Sequence, residues 1–386
     1  MKIANVALGA ALTAGGMALV GLAIGGAYYA SQLLPAEVPE ATVYTATVVD
    51  ATGTTLTIDP GTAPEWDVDD LVSGATVGFR TVDGYVQLYD DPVAVDGAHD
   101  TPVVTRRFRP VSGTVPAAGD RGDVQSHAFP SDDPGLVRPT ELVAIEGPLG
   151  DLPAWIMPGT ADTWIVWVHG RGGTRAAALR TASATAGTGF PMLVVSHRND
   201  PDAPRSPDGF GHYGDREWED LEAALTWLQE VHAPPRIVLF GESQGGSVVV
   251  NCLRRCVDTD AVTGVVLESP LLSMNATLEL QAAERGIPSW AIGSLLSATK
   301  VMSAIRSGPD FANLEQVEWL AARDLPVLLF HGRDDTTVPF SSSERLATID
   351  PDDVVFVPYA GEHVRGWNVD PAGWTDALLD FLARVG

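Results

Sequence analysis

The sequence predicts an α/β protein in which a mostly parallel sheet carries helices on both faces and a helical insertion, with a small β-rich module in front of it. Three observations lead there. From residue 141 onward, short apolar runs alternate with longer helical patterns, as in a parallel sheet covered on both sides. Before that, from about 43 to 108, the pattern is one of short alternating strands separated by turn residues. Finally, the apolar run 236–240 passes through Gly241-Glu242-Ser243-Gln244-Gly245 into a second apolar run over 246–253, which reads as strand, tight GxSxG turn and buried helix.

The chain has 386 residues, 45% of them apolar, enough for one large domain and a smaller one. Asp and Glu number 50 against 24 Lys and Arg, a formal net charge of −26. A surface of that sign repels phosphate backbones, so nucleic acid is not expected as a partner. The two cysteines, Cys252 and Cys256, fall one helical turn apart with nearly parallel Cβ vectors, which predicts free buried thiols. Neither has zinc-ligand spacing, and no metal or cofactor is expected.

Residues 3–30 carry no charge and are mostly Ala, Gly, Val, Leu and Ile. The run exceeds the roughly 7 to 15 residues of a signal-peptide apolar region and suffices to span a bilayer of about 30 Å. Residues 1–34 are therefore expected to anchor the protein as a single-pass helix in the cell membrane. With Lys2 on one side and Glu37 and Glu40 on the other, the body lies outside the cytoplasm. The alternative is a signal segment cleaved near Ala27 and a secreted protein.

The β-rich module is expected over 40–112, with strands at 43–49, 54–58, 75–81, 85–89 and 103–108, and reads as a spacer. A Gly-, Pro-, Asp- and Ser-rich connector follows over 113–138. The large domain occupies 139–386. It opens with an antiparallel pair, 141–147 and 152–158, and the strand 163–168 then ends in His169-Gly170-Arg171-Gly172-Gly173. A helix over 175–186, a strand over 192–196 and a helix over 217–231 lead to the strand before Ser243. In such a sheet the site forms at the carboxyl ends of the strands. The long loop 200–214, with Arg198-Asn199-Asp200 before it and His212 within it, serves either the rim of that site or its own structure.

Strand, GxSxG and helix form a nucleophile elbow, which strains the serine backbone and stands its hydroxyl clear of the sheet. A serine needs a base to take its proton and a third group to orient the base, and after an elbow the order along the chain is serine, acid, histidine. Two histidines follow Ser243. His331 opens the loop that carries the acid, and His363, in Gly361-Glu362-His363 after the strand 354–357, is the base candidate.

GESQG, HGRGG, HGRDDTTVP and GEH together resemble the α/β-hydrolase family over about 141–386. The resemblance implies that the acid is the fifth residue of an HGxxDxxVP pattern, Asp335. Asp334 is its neighbour, and Glu268 is a further candidate because some hydrolases place the acid after that strand. It also implies an oxyanion hole made by the N–H of Gln244 and a second N–H from the HGRGG loop, Arg171. The insertion 271–324 would be a cap, with helices at 276–285 and 290–305. Its apolar residues, among them Trp290, Leu295 and Val301, would either face an acyl or aromatic group or merely pack onto the sheet. The implied activity is hydrolysis of a small-molecule ester or thioester through an acyl-enzyme. One alternative is a prolyl-oligopeptidase-like serine peptidase acting on peptides, although about 70 residues cannot supply a several-blade propeller. The other is a non-catalytic, membrane-tethered binding protein on the same fold.

Overall fold

The computed structural model describes residues 22–37, 43–97 and 101–386. A helix over 22–33 (α1) comes first. Six antiparallel strands follow, β1 (Ala46–Thr52), β2 (Thr55–Asp59), β3 (Val77–Thr81), β4 (Gly84–Asp96), β5 (Val103–Gly113) and β6 (Arg121–Gln125), with helix α2 (Glu65–Ser73) between β2 and β3. They close into a barrel in the order β1-β2-β5-β4-β3-β6. Alternate residues such as Leu56, Ile58, Val77, Phe79 and Leu88 point inward and fill it.

The barrel reaches beyond the module expected over 40–112. Its closing strand β6 pairs with β1 and β3 and comes from the stretch read as a connector. With the sequence RGDVQ it has one large apolar residue, Val124, too little for a strand signal. Helix α2 was not expected either, since four of its nine residues are acidic. Its support is tertiary: the buried guanidinium of Arg106 donates to the carbonyls of Asp70, Leu71 and Ala75 at the helix end.

The large domain contains β7 (Glu141–Gly147), β8 (Gly150–Met157), β9 (Thr163–Val168), β10 (Met192–Val195), β11 (Arg236–Glu242), β12 (Val262–Glu268), β13 (Val327–Gly332) and β14 (Val354–Tyr359). Their order is β14-β13-β12-β11-β9-β10-β8-β7, and β8 alone among the described strands of this sheet runs against its neighbours. The helices are α3 (Leu179–Ala184), α4 (Trp218–His232), α5 (Gln244–Arg255), α6 (Met274–Glu284), α7 (Ser289–Ile305), α8 (Val317–Ala321), α9 (Phe340–Ile349), α10 (Gly366–Val369) and α11 (Pro371–Val385). Successive strand residues face opposite layers. Val166 and Val168 pack with α4, α5, α8 and α9, while Ile165 and Trp167 pack with α3, α10 and α11. Both faces of the central strands are thus covered, which is why they read as unbroken apolar runs.

The insertion folds as α6, α7 and α8 with a short 3-10 turn, and α1 lies on it. Gly25 and Gly26 let α1 approach α7 closely, since a Cβ at Gly26 would meet the Ala298 backbone at 2.7 Å. Ala30 and Leu34 are buried. Most of the anchor expected over 1–34 lies outside the described residues. Among the described residues no helix is long and apolar enough to cross a membrane, and 22–34 pack on the cap.

Cys252 and Cys256, expected as free thiols, are joined by a disulfide. The expectation assumed one helix running through both. Helix α5 instead stops at Arg255, and the extended backbone of Cys256 (φ −59°, ψ 142°) turns its side chain back, with the Cα atoms 4.9 Å apart.

Candidate active site

Strand β11 ends at Glu242 and α5 begins at Gln244, so a single residue, Ser243, turns the chain between them. Its φ of 54° and ψ of −117° lie where a residue with a Cβ is strained. The surroundings hold it there. Ser243 N–H donates to Glu268 O, and the N–H groups of Gly246 and Leu271 donate to Ser243 O. The flanking glycines are required by close approach: a Cβ at Gly241 would lie 2.7 Å from Gly245 O, and one at Gly245 would run into the Val168 carbonyl.

Three strand ends converge on the serine. His363, after β14, has Nε2 2.8 Å from Ser243 Oγ and Nδ1 2.7 Å from Asp335 Oδ2. Asp335, after β13, accepts through Oδ1 from the N–H groups of Thr337 and Val338. His331 Nε2 is also 3.1 Å from Asp335 Oδ2, while its Nδ1 lies 2.7 Å from Ser343 Oγ. Both Asp335 and Val338 O face Nε2 as acceptors, so this nitrogen carries a hydrogen. Burial alone would raise the Asp335 pKa, but the hydrogen bonds and charges of His331 and His363 outweigh it and hold the carboxyl well below the usual range. Asp334 turns away and accepts from Gly361 N–H. Glu268 is buried below the elbow, where it accepts from Gly366 N–H rather than from His363. Burial pushes its pKa up to about 7 against the pull of Arg180.

On the other side of Ser243 stands the loop after β9. A Cβ at Gly170 would lie 2.9 Å from Ser243 Cβ, so this loop touches the nucleophile. Gly170 O accepts from Gly173 N–H and from His169 Nδ1–H at 2.9 Å. His169 Nε2 meets Asp200 Oδ2 at 2.8 Å. Both ring nitrogens thus face acceptors, which requires the imidazolium form. Burial opposes that charge, but the Asp200 carboxylate raises the His169 pKa and is itself held low. The pair fixes the Gly170–Arg171 peptide, whose N–H points opposite to the pinned carbonyl. Among the described residues neither this N–H nor that of Gln244 has a hydrogen-bond partner. His197 stacks on His169, and with Asp200 these are the described side chains dense enough to consider for a metal. The direct His169–Asp200 bond closes two of the three ligand positions on each other. Arg198 is bound to Asp220 and Glu219 of α4 and His212 is fully buried, so neither lines the rim, whereas Asp200 acts on the Gly170 loop through His169.

Three structures of the Pyrococcus furiosus esterase Pf2001 share this architecture, with TM-scores of 0.51 to 0.53 at 20 to 21% identity over 67% of this chain and 94 to 97% of theirs. Residues 207–349, a stretch that contains Ser243 and Asp335, match the Prolyl oligopeptidase family. The chain has the α/β-hydrolase fold. The uncharacterized protein YfhR of Escherichia coli K12 is 26% identical over 263 residues, 65% of this chain and 82% of YfhR. The lysophosphatidylserine lipase ABHD12 of Danio rerio is 25% identical over 190 residues, and the chain spans about half of that relative's length (46%).

Above Ser243 and His363 lies a cavity of about 520 Å³, walled by Leu271, by Met274 and Leu278 of α6 and by Leu295 and Leu296 of α7. The far wall is α1, which contributes Tyr28, Tyr29 and Leu33. Nothing in the uncharged pattern of 3–30 points to this position beside the serine. The side chain of Arg171 donates to the carbonyls of Leu33 and Pro35 and pairs with Glu37 at 3.0 Å, and Tyr213 O–H also donates to Leu33 O. The N-terminal segment therefore grips the loop beside the nucleophile. The barrel grips the loop after His363. Arg365 Nε lies 3.0 Å from both Asp70 oxygens, and Asn368 donates to Thr76 O and Ser126 O. Buried Arg180 ties Glu242, Val364 O and Asn368 together beneath.

Proposed function

We propose that this α/β-hydrolase is a serine hydrolase of carboxylic esters of apolar acyl groups, working through an acyl-enzyme on Ser243 and located outside the cytoplasm. The observation that carries the reading is the contact chain Ser243 Oγ, His363, Asp335, at 2.8 and 2.7 Å, beneath a cavity about half of whose lining is aliphatic or aromatic. His363 Nε2 takes the hydroxyl proton as Oγ attacks the carbonyl carbon, and Asp335 stabilises the imidazolium that forms. The carbonyl oxygen gains its charge between the N–H groups of Arg171 and Gln244, at the positive end of α5. The tetrahedral adduct collapses, His363 protonates the departing alcohol, and water repeats the sequence to release the acid. A thioester would follow the same path. The name of the Danio rerio relative, a lysophosphatidylserine lipase, supports an acyl ester as substrate. The uncharged run at 3–30 and the disulfide, a bond that persists in oxidising compartments, support the location.

The match to the Prolyl oligopeptidase family favours a second reading, cleavage of peptides by the same residues. Comparing p-nitrophenyl esters with aminoacyl p-nitroanilides separates the two. A fluorophosphonate should label Ser243, and Ser243→Ala should lose roughly 10⁴-fold or more in kcat with its melting curve nearly unchanged. A folded sample that resists labelling would leave only the non-catalytic binding protein.

A further inference from the structure

Acids make up 50 of the 386 residues, yet none occurs from residue 3 to 36 or from 286 to 309. These two stretches pack together. Gly25 meets Leu295, Gly26 meets Ala298, and Leu34 meets Gly308. Because the partners ascend together, α1 and α7 run parallel, side by side. The outward face of α7 repeats at helical spacing through Trp290, Ser294, Ser297, Val301 and Ile305, without a charge. Trp290 is 85% exposed, Val301 59% and Ile305 69%, and Ile24 of α1, next to the Gly25 that meets α7, is 65% exposed. An uncharged, Trp-bearing face of this size on a protein of net charge −26 is the part of the surface least suited to water. An aromatic residue with aliphatic neighbours along one helix side suits the headgroup boundary of a lipid leaflet.

We propose that the paired outer faces of α1 and α7 form a docking surface for a neutral or zwitterionic lipid leaflet, and that the cavity between these helices and Ser243 takes the acyl chain of an ester resident in that leaflet. The occupant is lipid because the uncharged sequence 3–21 leads directly into α1. The excess of acid elsewhere disfavours anionic lipid. The inner sides of the same helices, Tyr29 and Leu33 of α1 with Leu295 and Leu296 of α7, already wall the cavity. The substrate class rests on the ester-hydrolase reading of Ser243, whereas the docking surface does not.

The full chain is reconstituted with phosphatidylcholine vesicles carrying p-nitrophenyl dodecanoate, and soluble p-nitrophenyl acetate is assayed in parallel. Trp290, Val301 and Ile305 lie outside the cavity lining. Changing all three to Glu, or Trp290→Glu alone where the triple variant fails to fold, should slow hydrolysis of the vesicle-held dodecanoate at least tenfold. Acetate hydrolysis and fluorophosphonate labelling should stay within twofold. Brominated phosphatidylcholine should quench the unaltered protein more than Trp290→Phe. Equal dodecanoate rates in variant and unaltered protein, or equal quenching, overturn the proposal. So does a concentration-dependent dimer that the same substitutions dissociate, which would assign the face to a second copy. Should the unaltered protein neither cleave acetate nor label, the hydrolase reading fails and the quenching alone decides docking.

Discussion

Gly170 carries the carbonyl that decides where the Arg171 N–H points, and a buried ion pair holds that carbonyl. Asp200→Asn removes the charge that keeps His169 doubly protonated, so Nδ1 can lose its hydrogen and release Gly170 O. The expected result is a fall in kcat of roughly 10 to 100-fold, less than the full loss of an oxyanion donor, with KM little changed. Asp200→Glu should recover part of it, and steady-state kinetics that show an unchanged kcat for Asp200→Asn would remove the pair from the catalytic account. Glu268 gives a pH effect of defined sign. Its folded pKa of about 7 lies above the 4.5 of an unfolded glutamate. Between those values the unfolded chain gives up the proton and the folded one keeps it, so stability falls as pH rises through the window and levels off above it. Denaturation of Glu268→Gln should lack that slope, a relative gain on the order of 3 kcal/mol by pH 8. Identical slopes in the two proteins would contradict it. The residues now facing Ser243 were readable because each sits in a loop just after an apolar strand. His169 was visible only as the opening of HGRGG, because the partner that gives it a role is 31 residues away in a loop with no fixed pattern.

At the scale of elements, α1 is part of the site although it precedes the large domain by more than a hundred residues. A chain beginning at residue 39 would lose the cavity wall at Tyr29 and Leu33, the buried Ala30 and Leu34, and every N-terminal partner of Arg171. It should still label at Ser243, but its kcat/KM for dodecanoyl esters should drop at least tenfold further than for acetyl esters, since only the longer chain reaches that wall. A parallel loss for both chain lengths would confine α1 to a structural role. The strands of the large sheet were legible because both faces are covered and their composition is almost purely apolar. Strand β6 and helix α2 were not, because pairing with two neighbours holds the one and a distant arginine holds the other.

For the molecule as a whole, the barrel is more than a spacer. Its Asp70 meets Arg365 two residues after His363, and burial raises the Asp70 pKa while Arg365 works against the rise. Asp70→Ala leaves Arg365 half-buried without its partner. The expected outcome is a loss of about 1 to 3 kcal/mol in stability and a severalfold drop in kcat. Parallel measurement of melting and turnover checks it, and a stability loss with full turnover would separate the barrel from the His363 loop. The sequence announced two modules here but not their contact, since single polar residues at the seam leave no periodic trace.

Arg180 reaches Glu242 across 62 positions and Asn368 across 188, and Asn368 in turn reaches Ser126 across 242. Contacts so remote in the chain form late during folding, after the loops they close have lost their entropy. Barrel and sheet can each assemble from nearer pairings, whereas the loop that carries His363 is held by contacts that span much of the chain. A newly made chain would therefore look folded before it could react.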